Sequence, residues 1–532
     1  MSDAGGGRSA FVVGAGILIS RVVGLLRNTV FAYYFGAGAA SDAYNAAFKI
    51  PNAVRNLLGE GTLSASFVPV YSRLLGRGDA AAARALSNAM LGVLLAVVSL
   101  LTLVGVAAAP LLTSVLTPGF DADTQALTTR LTRVLFPMTG MMVISGWCLG
   151  IQNSHRRFFW SYASAAVWSL AQIALLLVGG VRAGSAATLA VWLAWATLAG
   201  AVLQVAAQLP QVMQLAGPIR PTLDRAAEGL LQTLRNVVPV VTALGVVQIS
   251  SFVDLQIASF LPAGAATNLT YANTLALLPV SLFGVSVAAS ALPEFSRESG
   301  ALALDALRER LRAGWQRILF YVVPSAVAFV LFGDYCVGLL YRAGQFGAAE
   351  QRVVHWVLAG YAVGLVSFGS VKLLGSAYYA MQDYRTPLRA SVASITVSAI
   401  AAVSIAVPLR ASPYAAAGIA LGSALGSYVN LLVLARGLRT RLGPLYTAAM
   451  YTGTRRIVVA AAVAGAAGWG ARFVQVTWMS SLHPRYAALP ILAAFGMTYL
   501  VVAWGMGSAE AARWLRRPPR LSGQGAQDAA GE

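Results

Sequence analysis

The sequence predicts an all-α polytopic membrane protein with about 14 transmembrane helices. Hydrophobic residues occupy 58% of its 532 positions and charged residues only 11%, whereas a soluble domain carries roughly 25% charged residues. Several uncharged stretches are long enough for the ~20 apolar residues that cross a hydrocarbon core as a helix. They lack the alternating pattern of a barrel wall, so helices are expected. These stretches are 85–120, 158–181, 183–219, 255–292 and 486–508.

Apolar runs separated by charged or Pro/Gly-containing breaks define fourteen candidate spans. Spans 2 and 10 are the least distinct of these, because they carry charges. The predicted spans are 10–35, 45–72, 86–116, 131–152, 158–180, 186–212, 236–260, 271–293, 316–340, 353–380, 388–408, 413–435, 457–476 and 486–508.

The distribution of basic residues predicts the orientation of the chain. With the amino terminus inside, the cytoplasmic connections and both tails hold 25 of the 38 Lys and Arg residues, and the outer connections hold 8. The other five lie within predicted spans. By the positive-inside rule, this bias places both termini in the cytoplasm. It also accounts for the net charge of +19, so no nucleic-acid partner is expected.

Two segments of the chain share the same order of short motifs, which indicates an internal repeat. Because six spans separate the copies, the two halves are expected to have the same orientation and to alternate access to a substrate between them. The first copy contains A-G-A-A-S from Ala37, Tyr44, Pro51 and V-P-V-Y-S-R ending at Arg73; the second contains A-G-A-A-T from Ala263, Tyr271, Pro279 and L-P-E-F-S-R ending at Arg297.

The repeat predicts two pseudo-symmetric six-helix lobes and two extra helices. The first lobe covers 1–218 and the second 219–440. Spans 13 and 14, within 441–510, lie outside the repeat. A basic tail, 511–532, is expected in the cytoplasm.

The first two spans contain charges that are unusual in a membrane segment. A charge at the bilayer centre costs about 2.5–3.5 kcal/mol, so such groups need water or partners. Four cations and two anions leave an excess of positive charge, and guanidinium groups bind phosphate bidentately. A phosphate-bearing head group is therefore the predicted ligand. The predicted binding residues are Arg21, Arg27, Arg55, Asp42, Glu60 and Lys49, while the corresponding stretch of the second half, 245–280, carries only Asp254.

The charged residues of these spans also have a structural interpretation. Asp42 and Glu60 could pair with the arginines in a static network instead of a binding site.

Gly24 permits a bend, and Pro51 removes a helical hydrogen bond, so both residues are predicted hinges.

Three motifs carry a family resemblance: S-R-V-V-G-L-L-R at 20–27, F-G-A-G followed by S-D-A-Y within 35–44, and F-K-I-P-N-A-V-R-N-L-L-G-E-G at 48–61. They resemble the MurJ/MviN lipid II flippases of the multidrug/oligosaccharidyl-lipid/polysaccharide exporter superfamily. The resemblance implies two lobes, a groove for a lipid tail formed by spans 13 and 14, and export of an undecaprenyl-pyrophosphate-linked peptidoglycan precursor across the bacterial plasma membrane. It also implies that functionally required residues stand at Arg21, Arg27, Asp42 and Arg55.

The sequence departs from the family in its second half. Thr274 stands where many members have an arginine, and Asp254 resembles a sodium ligand of some members. Ala402 and Ala406 replace the expected Asn and Asp, which leaves sodium binding in doubt. No cofactor, metal or catalytic residue is expected, and transport would couple to the membrane potential or to a monovalent cation. The chain is expected to act as a monomer, and the partners considered for it are cell-wall synthesis enzymes.

Three other functions compete with this interpretation. A polyprenyl-phosphate glycosyltransferase could use the D-x-D formed by Asp121 and Asp123. A drug/ion antiporter would need acidic residues where this chain has cations. An exporter of another polyprenyl-linked glycan would share the phosphate site. No Walker A motif is present, so the chain by itself is not predicted to use ATP.

Overall fold

A computed structural model describes residues 3–281, 301–381, 383–478 and 484–515. Over these ranges the chain forms 17 α-helices and no β-strand. The first eight are α1 (Asp3–Phe35), α2 (Ala39–Leu58), α3 (Glu60–Gly76), α4 (Ala80–Ala107), α5 (Ala109–Leu116), α6 (Ala122–Ser154), α7 (Phe158–Gly179) and α8 (Ala186–Ala216). The remainder are α9 (Leu230–Ser259), α10 (Ala265–Pro279), α11 (Ala301–Tyr341), α12 (Ala348–Ala380), α13 (Arg385–Ala406), α14 (Ala416–Leu442), α15 (Ala448–Trp478), α16 (Pro484–Gly505) and α17 (Ala509–Leu515).

Ten of the described helices are long and apolar enough to cross a membrane. They are α4, α6, α7, α8 and α11–α16, and each coincides with a predicted span. The all-α fold class is therefore confirmed. The total of fourteen spans stays a prediction, because spans 1, 2, 7 and 8 fall on α1, α2 with α3, α9 and α10. The last part of span 8 and the end of the second repeat copy lie outside the described residues, as does 516–532.

The second predicted span is two helices and not one. Helix α2 ends at Leu58 and α3 begins at Glu60, with Gly59 between them at φ −90° and ψ −137°. A Cβ atom on Gly59 would lie 2.5 Å from the carbonyl oxygen of Arg55. Only glycine permits that approach, so the sequence G-E-G at this point breaks the helix without a proline.

Local side chains define where other helices begin. Asp79, Asp121 and Ser185 each accept a hydrogen bond from the backbone N–H three residues later, at 2.8, 3.0 and 3.1 Å. These N-caps start α4, α6 and α8, because they satisfy N–H groups that have no partner within the helix.

The chain divides into two compact units. One contains Met1–Ala272, Leu340–Val357 and Ser391–Ser423, and the other contains Asn273–Leu339, Leu358–Ala390 and Ala424–Glu532. The predicted lobe boundaries at 218 and 440 stay predictions. The core of the first unit is built from large buried side chains of α3, α4 and α6, including Phe67, Leu86 and Trp147.

The core of the second unit joins the helices outside the repeat to the rest of that unit. Phe320 and Phe332 of α11 pack with Ile457 of α15 and Phe495 of α16. The hydroxyl of Tyr499 in α16 donates a hydrogen bond to the carbonyl oxygen of Phe320 at 2.6 Å. In lipid, where helices gain nothing from burying apolar surface, such packing and hydrogen bonding hold them together.

Candidate substrate-binding site

Arg27 of α1 lies against a tryptophan and an amide. Its guanidinium carbon is 4.9 Å from the centroid of the Trp168 ring, and its Nη2 donates a hydrogen bond to Asn28 Oδ1 at 2.9 Å. No carboxylate among the described side chains lies within ion-pair distance of Arg27. The cation is thus oriented by neutral groups and keeps its capacity for an anion.

Three aromatic side chains, Tyr44, Phe48 and Trp168, form what we term the aromatic wall. Phe48 stacks on Trp168 at 5.9 Å between centroids and on Tyr44 at 6.3 Å. Thr197 holds both ends of this wall. Its carbonyl oxygen accepts a hydrogen bond from Trp168 Nε1 at 3.1 Å, and the hydroxyl groups of Thr197 and Tyr44 are hydrogen-bonded at 2.8 Å. Helices α2, α7 and α8 therefore fix the surface on which Arg27 rests.

The other two predicted arginines differ in their surroundings. Arg55 of α2 is half-buried and lies near enough to Arg27 for their like charges to repel. Arg21 is exposed on α1, roughly 9 Å along the helix axis from Arg27. The structure thus brings Arg27 and Arg55 together, and a bound anion would relieve their repulsion.

Asp42 is held by the second copy of the repeat and not by the arginines. The carboxylate is buried and accepts hydrogen bonds from the backbone N–H groups of Gly264 and Thr267, both at 2.7 Å. The Thr267 hydroxyl donates a third hydrogen bond at 2.6 Å. Asp42 thereby caps the amino-terminal end of α10, where a negative charge is favourable.

Further contacts join the same two repeat segments into what we term the repeat junction, formed by Gly36, Asp42, Gly264, Thr267 and Tyr271. The Tyr271 hydroxyl donates to the Gly36 carbonyl oxygen at 2.9 Å. Gly264 has φ +95°, and a Cβ there would lie 2.7 Å from a carbonyl oxygen of the first copy. The junction needs glycine because the two backbones approach so closely.

Lys49 and Asp254 are both half-buried and act on each other electrostatically, although they form no direct ion pair. The Ser423 hydroxyl lies 3.5 Å from both carboxylate oxygens of Asp254. The predicted ion-binding residue is therefore near a cation that the chain itself supplies. That leaves less need for an external one.

Ala402 and Ala406 lie in a close contact between α13 and α14. Both are fully buried. A Cβ atom on Gly422 would lie 2.6 Å from the backbone nitrogen of Ala402, and one on Gly418 would lie 2.9 Å from that of Ala406. This small-residue packing leaves no volume for the Asn and Asp side chains that the family resemblance leads us to expect here.

The predicted hinges lie within helices. Gly24 is part of the continuous helix α1, and a Cβ atom there would meet nothing within 4 Å. Pro51 lies within α2, and its carbonyl oxygen accepts a hydrogen bond from the Thr139 hydroxyl at 3.2 Å. Both hinges stay predictions. The Glu60 side chain lies outside the described part of the structure, which shows only that its backbone begins α3.

The D-x-D motif has a structural role at its first residue. Asp121 accepts hydrogen bonds from the backbone N–H and the hydroxyl of Thr124, at 3.0 and 2.8 Å, which lower the pKa of Asp121. It acts as the N-cap of α6. Among the described residues, no three His, Cys, Asp or Glu side chains come together in a way that could hold a metal ion.

Helices that are long and apolar enough to cross a membrane, with the Arg27 cation held against an aromatic wall, are the arrangement expected of a multi-pass membrane transporter. The family model described as lipid II flippase MurJ matches residues 31–489. The probable lipid II flippase MurJ of Rhizobium meliloti is 30% identical over 510 residues, which cover 93% of each chain. The lipid II flippase MurJ of Burkholderia cenocepacia is 31% identical over 442 residues, covering 82% of this chain and 84% of that one. The chain belongs to the MurJ lipid II flippase family.

Solved structures show the same fold. A lipid II flippase MurJ in an inward closed conformation matches with a TM-score of 0.76 at 20% identity, covering 93% of this chain and 98% of that one. An inward-facing multidrug resistance MATE family transporter of the MOP superfamily matches with a TM-score of 0.64 at 17% identity, over 80% and 95% of the chains. Family membership confirms the resemblance, makes the chain a multi-pass inner-membrane transporter, and excludes the glycosyltransferase alternative.

Proposed function

We propose that this chain flips lipid II, the undecaprenyl-pyrophosphate-linked peptidoglycan precursor, from the inner to the outer leaflet of the bacterial inner membrane by alternating access. One observation carries the proposal beyond family membership. Arg27 rests on Trp168, faces the like charge of Arg55, and has no carboxylate in ion-pair distance among the described side chains. A pyrophosphate would supply the negative charge that these two cations favour.

The aromatic wall explains why the arginine suits a diphosphate. A guanidinium group presents its N–H donors in one plane. Arg27 lies over the Trp168 ring, and Asn28 Oδ1 accepts hydrogen bonds from its Nε and Nη2 at 3.3 and 2.9 Å. The remaining N–H groups of that plane would donate to phosphate oxygens. Each charge-assisted bond contributes about 1.5–3 kcal/mol, because the group is partly shielded from water.

The repeat junction would act as the closure that opens during transport. In the described conformation three hydrogen bonds tie Asp42 to Gly264 and Thr267. Opening it would expose the N–H groups of α10 and release the carboxylate. A shift in population from 1:99 to 99:1 needs a differential affinity of about 5.5 kcal/mol, which two or three phosphate contacts would supply.

The distribution of basic residues and the helices outside the repeat support a direction of transport and a path for the lipid tail. The arginine bias favours cytoplasmic termini, so the repeat junction would lie on the outer side. Helices α15 and α16, which lie outside the repeat, would accommodate the lipid tail.

Because Lys49 already offsets the charge of Asp254, we propose that transport is coupled to the membrane potential in place of a bound cation. The chain would act as a monomer, and association with cell-wall synthesis enzymes stays a prediction.

The test is flipping of fluorescent lipid II by the full chain in vesicles. Arg27→Ala should reduce the rate at least about tenfold, because it removes a bidentate contact. Arg27→Lys should restore it only in part, since an ammonium is a point charge. The matched control is Arg182→Ala, an exposed arginine in a connection. Normal flipping by Arg27→Ala would contradict the phosphate site, and flipping of a different polyprenyl-pyrophosphate glycan but not of lipid II would support the glycan-exporter alternative.

A further inference from the structure

The connections that leave the two predicted lobes begin in the same way. Helix α8 is followed by G-P-I at 217–219, and α14 is followed by G-P-L at 443–445. Gly217 and Gly443 have φ +81° and +77°, values that favour glycine at the end of a helix. The two G-P sequences are 226 positions apart, the same offset as the A-G-A-A motifs of the repeat copies. We term 217–222 and 443–445 the exit segments.

In the first unit, α4 holds the beginning and the end of its exit segment. Arg84 Nε donates a hydrogen bond to the carbonyl oxygen of Ala216 at 3.1 Å. One turn later, Asn88 Oδ1 accepts a hydrogen bond from the backbone N–H of Arg220 at 3.2 Å. The Asn88 carbonyl oxygen accepts another from the backbone N–H of Thr222 at 3.2 Å. The connection that leads to α9 is therefore attached to α4 where it begins.

In the second unit, α11 holds the other exit segment. Arg312 Nε donates a hydrogen bond to the carbonyl oxygen of Leu445 at 3.1 Å, and its Nη2 donates to that of Pro444 at 2.6 Å. Arg308 lies one turn earlier, beside Gly443, where a Cβ atom would be 3.8 Å from its guanidinium carbon. The chain that leads to α15 is therefore attached to α11.

The residues that make these contacts occupy matching positions of α4 and α11. Three pairs are each separated by 224 positions: Arg84 and Arg308, Asn88 and Arg312, and Gly92 and Gln316. Successive members are one turn apart along one side of the helix. The third pair also meets the departing chain, because a Cβ atom on Gly92 would overlap the Thr222 carbonyl oxygen and one on Gly453 would overlap Gln316 Nε2. The offset of 224 is also that of the V-P-V-Y-S-R and L-P-E-F-S-R motifs.

We propose that these contacts are two repeat-related clasps, each of which keeps the exit segment of a lobe attached to the third helix of that lobe throughout transport. The two copies achieve this attachment with different chemistry, since Asn88 accepts from backbone N–H groups and Arg312 donates to carbonyl oxygens. Hinges are a few residues that absorb large changes in φ and ψ. The clasps would exclude both exit segments from that role, so that movement of one lobe is not lost in a loose connection. This role in transport rests on the proposed function.

The clasps themselves are tested without substrate. In a variant that lacks the two native cysteines, spin labels are attached at Leu223→Cys or Ala448→Cys, two exposed positions that follow the exit segments. Arg312→Ala should convert the spectrum at 448 from immobile to mobile on the nanosecond timescale and leave that at 223 unchanged. Arg84→Ala/Asn88→Ala should mobilise 223 and leave 448 unchanged. Immobile spectra at both positions in these variants would overturn the proposal.

Arg317→Ala is the matched control, because this arginine is exposed on the same helix as Arg312. It should leave both labels immobile. Arg312→Lys should give an intermediate spectrum at 448, because an ammonium group lacks the fork that reaches two carbonyl oxygens. If Arg317→Ala mobilises residue 448 as much as Arg312→Ala does, the effect is one of charge and the second clasp is refuted.

Cross-linking tests whether the first clasp stays closed during transport. Asn88→Cys/Thr222→Cys removes one acceptor and should flip lipid II about fivefold more slowly than the cysteine-free parent, as expected for one lost hydrogen bond. A short bifunctional methanethiosulfonate that joins the two thiols should restore the rate, because the connection does not need to detach. Loss of flipping on cross-linking, recovered with a reducing agent, would overturn the proposal.

The failure of this inference is distinguishable from that of the proposed function. If the cysteine-free parent does not flip lipid II while the wild-type chain does not either, the proposed function fails, and the spin-label spectra still decide whether the clasps exist. If the parent flips lipid II and the labels at 223 and 448 stay immobile in the clasp variants, the proposed function stands and the clasps are refuted.

Discussion

The carboxylate of Asp42 in α2 accepts hydrogen bonds from both the backbone N–H and the hydroxyl of Thr267 in α10, at 2.7 and 2.6 Å. Asp42 is the last residue of the motif A-G-A-A-S-D in the first repeat copy, and Thr267 is the fifth residue of the matching motif A-G-A-A-T-N in the second. In the second copy Asn268 stands where the first has Asp42, and its buried Oδ1 has no hydrogen-bond partner among the described residues. The junction thus joins two motifs that match in sequence but differ in charge, and the one carboxylate caps α10.

Asp42→Asn should therefore open the repeat junction. The amide loses the negative charge and one acceptor oxygen, which costs about 1–3 kcal/mol for a buried, charge-assisted set of bonds. That cost is a shift of roughly fivefold to more than a hundredfold in the population of the closed state. Spin labels at Ala39→Cys and Pro262→Cys, both exposed positions, should report a longer distance in Asp42→Asn, with slower flipping.

Thr267→Ser is the control for this prediction, because serine keeps both the backbone N–H and a hydroxyl. Its distance distribution should match that of the wild type. If Asp42→Asn also shows the wild-type distribution with normal flipping, the junction does not control access.

Neutralising Lys49 and Asp254 together should be less damaging than neutralising either one. Lys49→Met leaves a half-buried carboxylate without its cation, and Asp254→Asn leaves the ammonium without its anion. An uncompensated charge costs more than the loss of the pair. Flipping rates of the wild type, the two single variants and the double variant form a complete double-mutant cycle. A double variant slower than both singles would refute the electrostatic interaction between Lys49 and Asp254.

The same pair predicts that flipping does not require sodium. Because Lys49 acts on Asp254, and Ala402 and Ala406 are packed against glycines, replacing sodium by potassium or choline should leave the wild-type rate unchanged at equal membrane potential. A rate that rises with sodium concentration and is lost in Asp254→Asn would instead identify Asp254 as a cation ligand.

Asp383 should make the stability of the chain depend on pH in the acid range. The backbone N–H of Thr386, then the Thr386 hydroxyl and Arg441, lower the pKa of Asp383 from 3.8 to about 2. A lowered pKa in the folded state contributes stability that is present above about pH 4 and is lost as the pH falls towards 2. The thermal unfolding midpoint in detergent should fall over this window, and less so in Asp383→Asn.

The control for the Asp383 prediction is Asp305→Asn, which removes an exposed carboxylate paired with Arg308 within one helix. It should keep the pH dependence of the wild type. If Asp383→Asn and the wild type lose stability equally between pH 4 and 2, the hydrogen bonds of Asp383 with Thr386 and Arg441 do not stabilise the fold.

The orientation of the chain is open to direct labelling. Cysteines introduced at Gly184→Cys and Ala81→Cys, both exposed, lie in connections that the arginine bias assigns to opposite sides. In intact cells an impermeant thiol reagent should label the first and not the second. The reverse pattern would invert the topology and with it the direction of transport.

Much of the fold could be predicted because membrane helices are specified locally. The uncharged stretch 158–181 became α7 and 486–508 became α16, since each contains enough apolar residues to cross a bilayer. The break at Gly59 was not predicted, although the G-E-G sequence was a signal for it. A glycine is compatible with a continuous helix unless the surrounding packing forces the backbone out of it.

The candidate site was only partly predictable. The excess of cations was visible in composition, and so was the expectation of an anionic ligand. The tryptophan beneath Arg27 was not, because Trp168 lies 141 positions away and any of several aromatic residues in the apolar runs could have filled that place. Contacts between distant segments depend on how helices pack, which periodicity does not specify.

The sequence by itself therefore determined that the chain is a helical membrane protein with a repeated order of motifs and with cations inside its predicted spans, because apolar length and charge are properties of each segment alone. Only the tertiary structure decided that Asp42 caps α10 in place of pairing with an arginine, and that Lys49 acts on Asp254. A charge at lipid depth must find a partner, and which partner it finds depends on the distances that packing sets.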